Sequence, residues 1–126
     1  MISLDTNYLL RFFTNDVKSQ AQIAKRLIKG SSEIYLSVIA IAETVYFLRN
    51  HFEKSKDEVC EELSLLIKQP SIKTQDFVSQ ALLLYRSENI SFYDSLLLSE
   101  ALEEKLTLRT FDKKLTKVFD KYQKGV

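Results

Sequence analysis

The chain has 126 residues, 45% hydrophobic and 28% charged, a mix that excludes a disordered or collagen-like polypeptide and suits one compact domain over residues 1–126. Eighteen Lys and Arg against 17 Asp and Glu leave a net charge of +1, so the molecule as a whole is no polycation built to embrace nucleic acid. One cysteine and one histidine exclude an internal disulfide, a structural zinc site and a two-histidine ribonuclease mechanism, and they suit a reducing compartment.

The N-terminal residues show no basic stretch followed by an apolar run, so no signal peptide is expected. Residues 2–4 form the first β-type run, and Tyr8, Leu9, Phe12 and Phe13 crowd the helix after it. Asp16 is placed to cap a second helix, with Ala21, Ala24, Leu27 and Ile28 as its apolar stripe and Gly30 as its stop. Residues 34–36 are the second strand. The apolar stretch 36–48 is interrupted by Glu43 and falls short of the roughly 20 residues that cross a bilayer, so a cytoplasmic protein without a membrane segment is expected.

Ser55-Lys56-Asp57-Glu58 reads as a capping box before Val59, Leu63, Leu66 and Ile67, and that helix must end ahead of Pro70. Residues 72–73 are a third strand, 75–87 and 92–105 are helices, 107–109 a fourth strand and 112–122 a last helix. No linker, repeat or low-complexity stretch divides the chain. Short strands alternating with longer helices predict an α/β fold, with a short, mostly parallel sheet of four to five strands flanked by helices.

In such sheets ligands bind beyond the carboxyl ends of the strands, which draws attention to acids placed there. Asp5 ends the first run, and Asp112 follows the fourth; both equally suit helix capping. Glu43 has Ile39, Ala40, Tyr46 and Phe47 as its neighbours at three and four residues, so it is expected to be partly buried and to need a cation or donors. Asp94 can form a capping box with Ser91, yet it shares a helix face with Leu98, which points it toward the packed side. With no histidine pair and no cysteine nucleophile, four such acids suggest Mg²⁺ or Mn²⁺, hard cations that favour carboxylate oxygen and serve phosphodiester hydrolysis.

Charge is unevenly placed. From residue 88 to 104 there are five acids and no Lys or Arg, whereas Lys105, Arg109, Lys113, Lys114, Lys117, Lys121 and Lys124 face only Asp112 and Asp120. This basic segment is either a solvated helix face or a phosphate-contacting one, with Lys113, Lys114 and Lys117 as candidate RNA contacts. His51 suits a helix end, and Cys60 has no basic neighbour in sequence to make its thiol reactive.

Four segments carry a resemblance: Leu4-Asp5-Thr6-Asn7-Tyr8-Leu9-Leu10-Arg11, Ile41-Ala42-Glu43-Thr44-Val45-Tyr46-Phe47-Leu48, Phe92-Tyr93-Asp94-Ser95-Leu96-Leu97 and Thr110-Phe111-Asp112-Lys113-Lys114-Leu115. In order and spacing they resemble the PIN-domain family, especially the VapC-type toxins of toxin-antitoxin modules. The resemblance implies a Mg²⁺- or Mn²⁺-dependent endoribonuclease. Asp5, Asp94 and Asp112 would hold the metal, Glu43 would position metal or attacking water, and Thr6, Asn7 and Thr110 would orient the carboxylates. It also implies a homodimer and a small antitoxin partner that covers an apolar groove. The chain departs from many relatives in having Asn89-Ile90-Ser91 before Phe92, and Lys105 where a glycine often precedes the last strand.

Two other functions fit the same acids: an RNA-processing nuclease of the same fold outside a toxin-antitoxin pair, and a catalytically silent binding module. A phosphoacceptor receiver domain does not, because the middle strand Ile34-Tyr35-Leu36-Ser37 ends without an aspartate.

Overall fold

The computed structural model describes residues 1–124, and over them the chain forms seven helices and one three-stranded parallel sheet. The contacts divide it into two units, Met1–Gln75 and a second that starts at Asp76.

The first unit holds the sheet. Strand β1 (Ile2–Ser3) pairs with β2 (Ile34–Tyr35), and β2 with β3 (Ile72–Lys73), so Ile34 stands between Ile2 and Ile72. Parallel neighbours cannot be joined by a tight turn, and here helices make both crossovers. Helices α1 (Thr6–Thr14) and α2 (Lys18–Lys29) lead from β1 to β2; α3 (Val38–Asn50) and α4 (Lys56–Ile67) lead from β2 to β3. Leu4, Ile34, Leu36 and Ile72 supply the sheet's share of the core, and Leu9, Ile28, Ile41, Leu48 and Leu63 the helices' share; all are buried.

Local chemistry sets the helix starts. Asp5 caps α1 by accepting the Tyr8 N–H at 3.1 Å. Ser55 and Glu58 close a reciprocal box at the start of α4. Asp16 does not cap α2 as its position suggests: Val17 is the N-cap, with no side-chain bond. The Asp16 carboxylate instead accepts the Thr14 hydroxyl at 2.7 Å and the Val17 N–H at 3.1 Å, and pairs with Arg11 at 3.4 Å. A hydroxyl and a guanidinium within reach outcompete the orphan amides of the next helix.

The second unit is all helical: α5 (Val78–Ser87), α6 (Phe92–Glu103) and α7 (Lys113–Gln123). Its core joins Leu84, Leu98, Ala101, Leu115, Val118 and Phe119. Helix α5 begins three residues later than its pattern suggests, since Phe77 offers no side-chain cap. Glu88 ties the end of α5 to α7 by accepting from the Tyr122 hydroxyl at 2.7 Å and the Lys121 ammonium at 2.9 Å.

The expected fourth strand at 107–109 is absent, so the described sheet has three strands rather than four or five. Helix α6 ends in a Schellman motif: Leu106 N–H reaches Ala101 O at 2.7 Å and Lys105 N–H reaches Leu102 O at 3.3 Å, with Lys105 left-handed at φ 56°. Past that turn, Leu108 packs against the helical core and Leu106 is exposed, so the run's apolar residues serve helices and pair with no strand.

Candidate functional site

Asp5 and Glu43 belong to the first unit. Asp5 is exposed at the end of β1; its Oδ1 is engaged by the α1 cap, and its other oxygen carries no hydrogen bond among the described residues. Glu43 is also exposed, which corrects the expected partial burial. Three of the four neighbours that suggested burial are themselves in solvent, Ile39 at 73%, Tyr46 at 49% and Phe47 at 38%; only Ala40 is buried. Helix α3 turns Ile41, Val45 and Leu48 inward instead, so Glu43 sits on an outward face with an apolar rim. The Thr6 hydroxyl donates to Glu43 Oε1 at 2.9 Å, linking the start of α1 to the middle of α3.

Beside Asp5 the helices α1 and α2 leave a cleft of about 370 Å³, lined by Asp5, Asn7, Tyr8, Arg11, Gln20 and Ile23. Arg11 donates through Nε to Gln20 Oε1 at 2.8 Å while its Nη1 faces Asp16. The Thr14 hydroxyl, opposed by desolvation and helped by Arg11, holds the Asp16 carboxyl below its usual range. Arg11 lies in the quoted motif but is assigned no role by it, and Gln20 lies outside every motif; only the pairing of α1 with α2 brings them to Asp5.

Asp94 and Asp112 belong to the second unit. Asp94 lies in the first turn of α6, half-buried. Its backbone N–H donates to Ser91 Oγ at 3.0 Å, but its carboxylate does not return the bond, and it has no hydrogen bond or ion pair among the described residues. Asp112 caps α7: Oδ1 accepts from Lys114 N–H at 2.9 Å and Leu115 N–H at 3.1 Å, leaving the second oxygen unengaged among the described residues. Thr110 Oγ1 accepts the Asp112 N–H at 3.1 Å, so it touches this acid through the backbone rather than through the carboxylate. Lys113, Lys114 and Lys117 are exposed on α7.

Each unit thus presents two carboxylates with oxygen to spare, which is the donor chemistry a hard divalent cation takes. No group of three or more His, Cys, Asp or Glu side chains is gathered for a metal among the described residues. His51 closes α3 with its backbone N–H on Phe47 O at 2.8 Å and its ring against Phe52; Cys60 is buried in α4. No helix among the described residues is long and apolar enough to cross a membrane.

No curated protein matches the sequence. Compared with protein families, residues 2–121 match the PIN domain, a span that takes in all four acids and nearly the whole chain. The chain belongs to the PIN domain family, a family of nuclease folds.

Proposed function

We propose that this PIN domain is a Mg²⁺- or Mn²⁺-dependent endoribonuclease, the toxin of a toxin-antitoxin pair, in which Asp5, Asp94 and Asp112 hold the cation and Glu43 assists. The observation that carries the reading is Asp94: a half-buried carboxylate in the first turn of a helix whose cap is already supplied by Ser91, so that its oxygens are held by no hydrogen bond among the described residues. When bound, the cation would neutralise the carboxylates that hold it and the charge growing on the phosphate. The protein's part is to aim its oxygens. Two backbone amides fix Asp112, one fixes Asp5, and the Thr6 hydroxyl fixes one oxygen of Glu43, leaving the other to orient the attacking water. Lys113, Lys114 and Lys117 grip flanking phosphates with little regard to sequence.

The exposed apolar surface supports the protein partners in this reading. Ile39, Tyr46 and Phe47 stand exposed along α3, and an outward apolar stripe of this kind suits a second copy of the chain or the small antitoxin. A cytoplasmic location is part of the same proposal.

The test is cleavage of a mixed cellular RNA pool by the purified chain with Mn²⁺, Mg²⁺ or EDTA, beside Asp5→Asn and Asp94→Asn. Metal-dependent cutting that both variants abolish is the expected result. A folded wild type that cuts nothing with either metal, and binds neither by calorimetry, overturns the proposal.

A further inference from the structure

The cleft between α1 and α2 has walls unlike those of a bare carboxylate site. Tyr8 is 39% exposed and Ile23 is 52% exposed, so the two place an aromatic and an aliphatic surface at the same opening. Asn7 and Gln20 add side-chain amides. At about 370 Å³ the cleft is at the small end of ligand sites, which run from roughly 300 to 1,000 Å³, the size class of one nucleoside rather than a folded RNA segment.

Gln20 is held in one orientation. An amide can ordinarily flip its oxygen and nitrogen, but Arg11 has only donors, so the atom it meets at 2.8 Å has to be the Gln20 oxygen. Arg11 is itself anchored by Asp16 at 3.4 Å, and Asp16 by Thr14 at 2.7 Å. The chain of bonds leaves Gln20 Nε2 with its two N–H donors and no partner among the described residues. A side chain fixed as donor only reads acceptors.

We propose that this cleft holds one nucleobase of the RNA next to the phosphate at Asp5, between Tyr8 and Ile23, with Gln20 Nε2 donating to the exocyclic oxygen at position 4 of a pyrimidine or position 6 of a purine. The placement beside the cut rests on the ribonuclease reading above; the base chemistry does not. Uracil O4 and guanine O6 offer the acceptor, whereas cytosine and adenine carry an amino group at that place. Aromatic stacking gives affinity to any unpaired base, so the selective contribution belongs to Gln20.

Two arms test it on the full chain. In EDTA, NMR titration with 5′-UMP, 5′-GMP, 5′-CMP and 5′-AMP follows the amides of Asn7, Tyr8, Gln20 and Ile23. These signals are expected to move, with UMP and GMP binding roughly 3- to 10-fold tighter than CMP and AMP, the range of one neutral hydrogen bond. Gln20→Ala removes the difference, and Arg11→Ala, which frees the amide to flip, shrinks it while binding persists. The second arm sequences the ends left by wild type on a randomised RNA with Mn²⁺, where a uracil or guanine bias beside the cut is expected and Gln20→Ala levels it. Unmoved cleft amides, or a preference that survives Gln20→Ala, overturn the proposal; monophosphate binding with unbiased cleavage overturns it in favour of a free-nucleotide site. Selective binding with no RNA cleavage at all upholds the base site and brings down the ribonuclease reading alone.

Discussion

Helices α4 and α6 begin with the same pattern, a serine followed three residues later by an acid. In α4 both halves of the box form: Glu58 N–H donates to Ser55 Oγ at 3.1 Å, and Ser55 N–H donates to Glu58 Oε1 at 3.2 Å. In α6 only the serine's half forms, at 3.0 Å, and the Asp94 carboxylate is left over. Aspartate is one methylene shorter than glutamate, the residue the box motif favours for the return bond. One acid is structural and the other is available. Two copies of a local signature thus serve different ends, and only the hydrogen bonds tell them apart.

The sharpest way to break this comparison is to neutralise both acids. Asp94→Asn is expected to lower RNA cleavage by more than about 100-fold, beyond the loss typical of a residue that merely supports a metal ligand, with stability within about 0.5 kcal/mol of wild type. Glu58→Ala, which removes the acceptor of the Ser55 N–H, is expected to do the reverse, leaving cleavage unchanged and lowering the unfolding midpoint. Equal cleavage by both variants sinks the distinction. At the basic helix, replacing Lys113, Lys114 and Lys117 by alanine should weaken RNA binding and flatten its salt slope by about 2, given roughly 0.7 per phosphate contact on a single strand. An unchanged slope in a filter-binding series removes those lysines from the interface.

Smaller effects sharpen the same contrast. Ser55→Ala and Ser91→Ala should each cost about 1 kcal/mol in urea denaturation, because both serines cap. Ser91→Ala should keep most of the cleavage activity. Acid should separate the two helix starts as well. The Ser55 backbone N–H, and then its hydroxyl, hold the Glu58 carboxyl below its usual range. A lowered folded value means this stabilisation is present above the unfolded value of about 4.3 and is lost as the pH falls through the folded one. Ser55→Ala, which removes the hydroxyl but keeps the backbone N–H, should therefore flatten the acid limb of the stability curve in part, and Ser91→Ala should not. Glu88, held low first by the Tyr122 hydroxyl and then by Lys121, contributes acid sensitivity of the same sign in either variant. The smallest expected change is a gain: Lys105→Gly relieves a left-handed residue at the end of α6 and should add about 0.5 kcal/mol without altering cleavage.

Much of the helical framework was legible in the sequence because caps and stops act over three or four residues. The Ser55 box, the Gly30 stop and the end of α4 ahead of Pro70 all stand where the sequence places them. Asp16 shows the limit of such local signals. It has a capping residue's position, but Arg11, five residues back, competes for it once α1 has formed. Residues 107–109 show another: their composition suits a strand, yet a strand exists only where a partner offers its ladder, and here Leu108 packs on helices instead.

For the candidate site, the four acids and their order along the chain were legible, and the PIN domain match spans them. The exposure of Glu43 was not, because periodicity marks an apolar face without saying which face is covered; α3 carries two, and Ile41, Val45 and Leu48 won the core. Nor were the link from Thr6 to Glu43 across 37 residues and the clamp of Arg11 on Gln20 beside Asp5. Sequence by itself determined which residues carry charge, where helices start and stop, and the family to which the chain belongs, since these follow from residue identity and short-range spacing. The tertiary structure alone decided which acids are engaged, which apolar face meets water and which side chains share a cleft, because those depend on groups far apart in the chain competing for the same hydrogen bonds and the same buried space.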